Sequence, residues 1–214
     1  MTPDPFGLLA TRLADPAAVA DVVAARPGTE GRRAAVLILL TDEPPVRVVL
    51  VEKSARLRSH AGQIAFPGGA IEPSDRDPID AALREAREEV GIDPVTVAVL
   101  GGLPDAHVRA SGFDVAGVVA RWRVPTDLVP VDRGEIAAVH QPDVADLLDP
   151  ANRSTWRHPA GFTGPAFTLG DLYVWGFTAA LLDGLFDLAG WTQPWDAARV
   201  TDIPPRFLHG RRWS

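Results

Sequence analysis

The chain has 214 residues, of which 46% are hydrophobic, and it carries a formal net charge of -7 with a pI near 5.2. A chain of this length and apolar content can bury a substantial core as one domain with extensions. The acidic balance disfavours a nucleic-acid partner, because phosphate backbones are bound by basic surfaces. The absence of cysteine excludes disulfides, thiolate metal sites and a cysteine nucleophile.

No segment of the sequence resembles a membrane span or a leader. No apolar run approaches the ~20 residues that a membrane-spanning helix requires. Residues 1–16 lack the basic and then apolar order of a signal peptide. We therefore expect a cytoplasmic protein that acts on a small molecule and has no membrane partner, with a homodimer left open.

The first third of the chain predicts a helical extension followed by strands. Residues 1–32 are rich in Ala, Pro and Asp, with apolar residues at roughly helical intervals, and predict one or two short helices. Ala34–Leu40 is a continuous apolar run typical of a buried strand, and Val46–Val51 returns after a Pro-rich turn as its partner. Lys53–Ile64 is predicted to be a polar, basic loop.

The best-defined predicted element is a helix that begins after Asp77. Asp77 is a favourable N-cap, Pro78 suits the first helical position, and Gly91 stands where helices commonly end in a left-handed glycine. The predicted apolar stripe of this helix comprises Ile79, Ala82, Leu83, Ala86 and Val90. The helix can thus pack on the core and present its polar side to a cleft.

Beyond this helix, strands alternate with two further helices, which favours an α/β fold. The predicted strands are Val95–Leu100, Phe113–Val124, Glu135–His140, Thr155–Gly161 and Leu172–Trp175. The predicted helices are Pro142–Leu148 and Phe177–Ala189. Residues 191–214 mix Pro, Arg and Trp and are predicted to be a loosely ordered tail, so that 33–190 form the domain.

Three carboxylates of the predicted helix carry the strongest chemical signal. Glu85, Glu88 and Glu89 stand at i, i+3 and i+4, so a helix places them on adjoining parts of one face. Like charges this close repel, and an oxygen cluster of this kind suits hard divalent ions such as Mg²⁺ or Mn²⁺. The alternative is a solvated acidic helix face, and these residues alone do not exclude it.

The surrounding sequence resembles a known signature. Residues 84–92 read Arg-Glu-Ala-Arg-Glu-Glu-Val-Gly-Ile, which is similar to the C-terminal half of the signature of the Nudix hydrolases, and residues 66–69 read Phe-Pro-Gly-Gly upstream of it. The loop between them holds one residue more than the family pattern. With that insertion, the first acidic position falls on Asp75, and Glu72 is a competing candidate.

The resemblance implies a Nudix-type mixed sheet sandwiched between helices, an α/β/α arrangement, and metal-dependent hydrolysis of a diphosphate. It implies that Mg²⁺ or Mn²⁺ is bound by the ligands Glu85, Glu88, Glu89 and the carbonyl of Gly68. It also implies three catalytic residues, Arg84, Glu88 and Glu135. Arg84 can hold Glu88 through an i+4 pair. Glu135 is a candidate base or further ligand, and the alternative is an exposed strand residue.

A second resemblance concerns the substrate. The spacing Arg58-x3-Gly62-x3-Phe66-Pro67-Gly68-Gly69 is similar to the motif of the coenzyme A pyrophosphatase branch of the Nudix hydrolases, for which the inserted loop residue is typical. Coenzyme A carries a 3′-phosphate beside its diphosphate, and the loop offers cations to bind it. The predicted substrate-binding residues are Arg56, Arg58, His60, Gly62, Phe66 and Gly69.

Three alternatives compete with this interpretation. In the first, the basic loop is a solvated turn, and Gly62 only allows the backbone to make that turn. The second is another Nudix substrate, such as ADP-ribose, a dinucleotide or a nucleoside triphosphate. The third is a non-catalytic nucleotide sensor, which would have little need for all three helical carboxylates.

Overall fold

The computed structural model describes residues 4–20, 22, 32–57, 60–108 and 111–207. The helices of these residues are α1 (Gly7–Leu13), α2 (Pro16–Val19), α3 (Pro78–Val90), α4 (Val144–Leu148) and α5 (Gly176–Ala189). The strands are β1 (Arg32–Thr41), β2 (Leu50–Lys53), β3 (Ile64–Ala65), β4 (Gly68–Ala70), β5 (Val97–Val108), β6 (Phe113–Trp122), β7 (Ile136–His140), β8 (Arg153–Arg157), β9 (Thr163–Leu169), β10 (Leu172–Val174) and β11 (Val200–Asp202).

The strands of the described residues form three sheets. The central sheet has the order β4-β1-β6-β5, in which β1 runs parallel to β6 and antiparallel to β4. A second sheet has the order β3-β2-β7, and a third the order β10-β9-β8-β11. The mixed strand directions confirm the predicted mixed sheet.

The strand after the Pro-rich turn changes sheets, which the sequence did not predict. Near the turn it does return along β1, because the Val49 N–H donates to the Leu39 carbonyl at 3.0 Å. Further along, β2 leaves β1 and pairs with β3 and β7. Lys53, the last residue of β2, lies beside the candidate site, where it contacts Glu89 of α3.

The core lies on both faces of the central sheet because side chains alternate along β1. Ala35, Leu37 and Leu39 are fully buried on the side of α3. Ile38 and Leu40 are buried on the opposite side, together with residues of α1 and α5. Helices therefore cover both faces, which confirms the predicted sandwich.

The caps of α3 confirm the prediction made from its sequence. The Asp77 side chain accepts a hydrogen bond from the Asp80 N–H at 2.9 Å, and Gly91 ends the helix with φ 76°. The predicted stripe is wrong at one end. Ile79, in the first turn, is exposed, whereas Ala81 is fully buried instead. The small side chains of Ala81, Ala82 and Ala86 let α3 pack closely on the sheet.

The first and last described segments pack on this core. Phe6 and Leu9 are buried against α5, and the Arg12 side chain donates to the carbonyls of Asp187 and Leu188 at the end of that helix. Residues 200–207 are not loosely ordered, because β11 pairs in parallel with β8 and Phe207 is buried. The division at residues 32 and 190 stays a prediction.

Two further features bear on the predictions made along the chain. Strand β9 lies between two predicted strands and was not anticipated from the sequence. Within the described ranges, none of the helices is long and apolar enough to cross a membrane.

Candidate active site

The glycine turn before α3 lies directly against its carboxylate face. Gly69 pairs with Ala35 at the edge of the sheet, and a Cβ atom placed on Gly69 would lie 2.5 Å from Oε1 of Glu85. Gly68 has φ 155°, and a Cβ atom there would lie 2.3 Å from the Ala35 carbonyl oxygen. Any larger residue would displace the backbone or the carboxylate, so both glycines are required by close approach.

Glu89 is buried between a lysine and the same turn. Lys53 Nζ lies 2.5 Å from Glu89 Oε1, and the Gly68 N–H donates to Oε2 at 3.1 Å. The side chains of Lys53 and Glu89 are only 15% and 4% exposed. Burial raises the pKa of Glu89, and the charge of Lys53 and the Gly68 N–H oppose this shift without cancelling it.

Arg84 connects the other carboxylates of the site. Its Nε and Nη2 atoms donate to both oxygens of Asp75, at 2.9 and 3.0 Å. Its Nη1 atom donates to Glu85 at 3.0 Å and to Glu88 at 3.1 Å, so the predicted contact between Arg84 and Glu88 is present. One planar guanidinium thus holds three carboxylates in fixed relation.

This arrangement distinguishes the two candidates for the first acidic position. The hydrogen bonds from Arg84 hold the pKa of Asp75 below its usual value, and the side chain of Asp75 is largely covered. Glu72 is exposed and contributes its backbone N–H to Asp75 at 2.8 Å. Asp75 therefore acts as the partner of Arg84, whereas Glu72 positions Asp75 through its backbone.

The donor set suits a hard divalent ion, although its carboxylates are held by cations of the chain. Burial raises the pKa of Glu85, and Glu88 is 58% exposed, so the three glutamates range from buried to open along one face. In the part of the chain that the structure describes, no three His, Asp or Glu side chains converge closely enough to enclose an ion. Oxygen ligands of this type are nevertheless those that Mg²⁺ and Mn²⁺ prefer.

Glu135 lies beside the site without belonging to a strand. It directly precedes β7, and its carbonyl accepts a hydrogen bond from the Ser54 N–H at 2.6 Å, next to Lys53. Its side chain is exposed. The preceding loop crosses the end of α3, where the Val131 N–H donates to the Glu89 carbonyl at 2.8 Å. The predicted role of Glu135 therefore stays a prediction with a suitable backbone position.

The predicted basic loop is closed onto Lys53. The Gly62 N–H donates to the Lys53 carbonyl, and the Lys53 N–H donates to the Gln63 carbonyl, both at 2.9 Å. Gly62 has φ 66°, a left-handed conformation that favours glycine, so a glycine at this position allows the turn itself. Arg56 is exposed, and His60 contacts the Gln63 side chain through Nδ1 at 3.0 Å. Arg58 lies outside the described residues.

Phe66 is placed differently from the prediction. Its side chain is only 3% exposed and belongs to the core on the side of α5. A ring buried in this way anchors the turn that carries Gly68 and Gly69. Its burial counts against the predicted contact with substrate.

The residue that the sequence analysis missed is Lys53. It was placed in the basic loop, but its contact with Glu89 joins residues 36 positions apart. One signal could have identified it: of the 21 lysines and arginines in the chain, Lys53 is the only lysine.

The comparisons with known proteins agree with this geometry. The sequence model of the NUDIX domain matches residues 31–162. The uncharacterized Nudix hydrolase NudL of Pectobacterium atrosepticum is 38% identical over 168 residues, which cover 75% of this chain and 84% of NudL. NudL of Escherichia coli strain SMS-3-5 is 37% identical over 163 residues, which cover 71% of this chain and 79% of that protein.

A solved structure shares the fold. The Nudix hydrolase RenU of M. smegmatis superimposes with a TM-score of 0.53 at 20% identity, over 77% of this chain and 89% of RenU. Nudix hydrolases generally use divalent metal ions, which is consistent with the oxygen-rich face of α3. On the match to the domain and the identity to NudL, this chain belongs to the Nudix hydrolase family and is a diphosphatase of a nucleoside diphosphate derivative.

Proposed function

We propose that this enzyme hydrolyses the diphosphate of coenzyme A or acyl-coenzyme A, and that it uses Mg²⁺ or Mn²⁺. One observation carries the proposal: the basic loop is closed onto Lys53, whose ammonium group lies 2.5 Å from Glu89. Lys53 therefore connects the loop that carries cations suited to a 3′-phosphate with the carboxylates suited to a metal ion. Coenzyme A presents both groups that this arrangement would bind.

The cations of the loop are proposed to bind the 3′-phosphate. Arg56 is exposed, so its guanidinium can contact a ligand without first breaking a buried interaction. Arginine binds phosphate through two parallel N–H groups, which gives geometric selectivity as well as charge. Arg58 and His60 are proposed to contribute in the same way.

The helical carboxylates are proposed to hold the divalent ion. Glu85, Glu88 and Glu89 would be its ligands, and when bound it supplies positive charge to the diphosphate oxygens and lowers the pKa of water. The Gly68 N–H orients Glu89, while Arg84 orients Glu85 and Glu88. Asp75 in turn fixes Arg84.

The proposed reaction is a displacement at phosphorus. The oxygen of water bonds to one phosphorus atom as the bond from that atom to the bridging oxygen breaks. The proton of water passes to a carboxylate, for which we propose Glu135. The products are 3′,5′-ADP and 4′-phosphopantetheine, or its acylated form, each with one phosphate from the former diphosphate.

The test is product analysis with purified protein over a panel of diphosphates. With Mg²⁺ or Mn²⁺ we expect release of 4′-phosphopantetheine from coenzyme A, and a chelator should stop it. Faster hydrolysis of ADP-ribose, a dinucleotide or a nucleoside triphosphate would overturn the proposed substrate and leave the family unchanged. Tight binding of coenzyme A without cleavage under either ion would indicate the nucleotide sensor.

A matched pair of variants tests the basic loop. Arg56→Ala should lower kcat/KM for coenzyme A by roughly 10- to 150-fold more than for dephospho-coenzyme A, because only the former carries the 3′-phosphate. The control is Arg157→Ala, which removes an exposed arginine of β8 that pairs with Asp202. Equal losses of Arg56→Ala on both substrates would contradict the proposed contact.

A further inference from the structure

We infer that Lys53 is an exchangeable counter-ion, which occupies Glu89 in the absence of a divalent ion and is released when the ion binds. This inference rests on the proposed metal-binding function of α3. It adds a role for a residue that no part of the Nudix signature contains. Lys53 would stabilise the buried charge of Glu89 and would compete with the ion for one oxygen atom.

Both oxygens of Glu89 are occupied by groups of the chain. Oε2 accepts from the Gly68 N–H, which is fixed by the pairing of β4 with β1. Oε1 accepts from Lys53, whose ammonium group stands on a flexible four-carbon stem. A divalent ion that uses Oε1 would meet the positive charge of Lys53 at the same atom. Lys53 is therefore the group that must move.

Arg84 lacks this freedom, although it also contacts carboxylates of α3. Its guanidinium is bonded to both oxygens of Asp75 and to the Ala70 carbonyl at 3.0 Å. These contacts are made to residues before α3. They therefore hold the arginine in place whatever the conformations of Glu85 and Glu88. Exchange is thus a property of Lys53 and not of every cation at the site.

The composition of the chain supports a specific need for lysine. Lys53 is the only lysine among 21 lysines and arginines, so arginine is the ordinary basic residue of this protein. Arginine would bind both oxygens of Glu89 through its planar fork and displace the Gly68 N–H. An ammonium group binds one oxygen as a point charge, which a metal ion can replace.

Burial explains why a counter-ion is needed at all. The Glu89 side chain is 4% exposed, and a buried carboxylate without a partner strongly destabilises a fold. Lys53 removes this penalty while no ion is bound. The cost is a weaker apparent affinity for the ion, because the ion must first displace the lysine.

The single lysine makes a direct measurement feasible. Protein labelled with ¹³Cε and ¹⁵Nζ lysine gives one side-chain NMR signal, which reports on Lys53 alone. We expect this signal to shift and sharpen as Mg²⁺ is added without substrate, with the same concentration dependence as ion binding measured by calorimetry. Saturable binding of the ion with an unchanged lysine signal would overturn the inference.

Variants provide the second test, with binding of Mn²⁺ and thermal unfolding as readouts. Lys53→Met should lower the unfolding midpoint without ion, raise the stabilisation gained from Mn²⁺, and tighten the Kd of Mn²⁺ by about tenfold or more. Lys53→Arg should weaken Mn²⁺ binding because the fork holds Glu89. Unchanged Kd values in both variants would overturn the inference.

A double variant and the wild type distinguish a failure of the inference about Lys53 from a failure of the proposed metal site. Lys53→Met with Glu89→Gln removes both charges, so it should restore the unfolding midpoint and lose the tightened Kd. If it keeps the tightened Kd, Lys53 does not act through Glu89. If wild-type protein binds neither Mg²⁺ nor Mn²⁺, the proposed metal site itself fails and this inference falls with it.

Discussion

Helices α3 and α5 lie on opposite faces of the central sheet, and each pairs a carboxylate, buried on α3 and half-buried on α5, with a basic residue from a strand. On α5, Asp183 pairs with Arg153, which is fully buried and lies over the rings of Phe167 and Trp195. On α3, Glu89 pairs with Lys53 beside the backbone of Gly68. The charge of Asp187 also acts on Asp183, whereas the carboxylates next to Glu89 are held by Arg84 and lie against the glycine turn.

The difference shows that a buried ion pair does not by itself mark a site. Aromatic rings close the space around Arg153, so the pair on α5 joins two layers of the fold. Around Glu89 the neighbours are Lys53, Glu85 and the glycine turn. The surroundings of each pair, and not its burial, therefore distinguish the helix proposed to bind the metal ion from the one proposed to be structural.

The largest expected effect comes from removing a carboxylate of α3. Glu88→Gln and Glu89→Gln each keep the shape of the side chain but remove a charge that would hold the ion. We expect turnover to fall by on the order of 10³ or more. Glu88 is 58% exposed, so Glu88→Gln should also leave the free energy of unfolding nearly unchanged.

The matched control lies on α5. Asp187 is an exposed acidic residue of that helix, and Asp187→Asn should leave turnover at the wild-type level. Steady-state kinetics at saturating Mg²⁺ measure both helices in one assay. Near-wild-type turnover of both glutamate variants would remove the distinction between α3 and α5.

For the ion pair on α5 we expect the opposite result, a loss of stability without a loss of turnover. Arg153→Met leaves Asp183 partly buried without its cation, and burial already raises the pKa of Asp183. Because Asp183 keeps some contact with solvent, we expect a loss of about 1–3 kcal/mol in the free energy of unfolding, measured by urea denaturation. The turnover of the folded fraction should not change. A catalytic loss at unchanged stability would assign Arg153 to a site.

A smaller effect is expected from the glycine turn. In Gly69→Ala the new Cβ atom would lie 2.5 Å from Glu85, so the carboxylate must move. Misplacement of a catalytic group by about 1 Å lowers turnover by roughly 10²-fold. Gly7→Ala is the control, since a Cβ atom there meets nothing within 4 Å. Equal turnover of the two variants would show that the close approach at Gly69 has no function.

The smallest effect concerns the first turn of α3, where the pKa shift has the opposite sign from that of Glu89. Hydrogen bonds from Arg76 lower the pKa of Asp80 from 3.8 to about 2. A lowered pKa contributes stability above the unfolded value of 3.8, and this contribution is lost as the pH falls toward 2. Asp80→Asn should therefore lower the unfolding midpoint slightly at pH 7, and its difference from wild type should shrink as the pH falls toward 2. A pH-independent difference would contradict the ion pair as its cause.

The sequence predicted what depends on local spacing. Asp77, Pro78 and Gly91 define α3 through short-range capping, and the three glutamates share a face because of the helical repeat. The alternation of side chains along β1 could not show that β2, the next strand in the chain, pairs within a different sheet. The pairing of β11 with β8 joins distant segments, which no local pattern encodes.

The site was predicted in part for the same reason. The contact between Arg84 and Glu88 follows from an i+4 spacing. The contact between Lys53 and Glu89 depends on how β2 and α3 pack, and so it was missed. Phe66 was expected at the ligand because it belongs to a motif, but its side chain points into the core. Motif membership indicates the region of a site without giving the direction of each side chain.

The central claim is that the carboxylate face of α3 binds the divalent ion on which hydrolysis depends. The most direct test is calorimetric titration of chelator-treated protein with Mn²⁺, comparing wild type, the double variant Glu85→Gln with Glu89→Gln, and Asp187→Asn. We predict saturable binding to wild type and to Asp187→Asn, and none to the double variant. Binding of Mn²⁺ to the folded double variant with wild-type affinity would contradict the account.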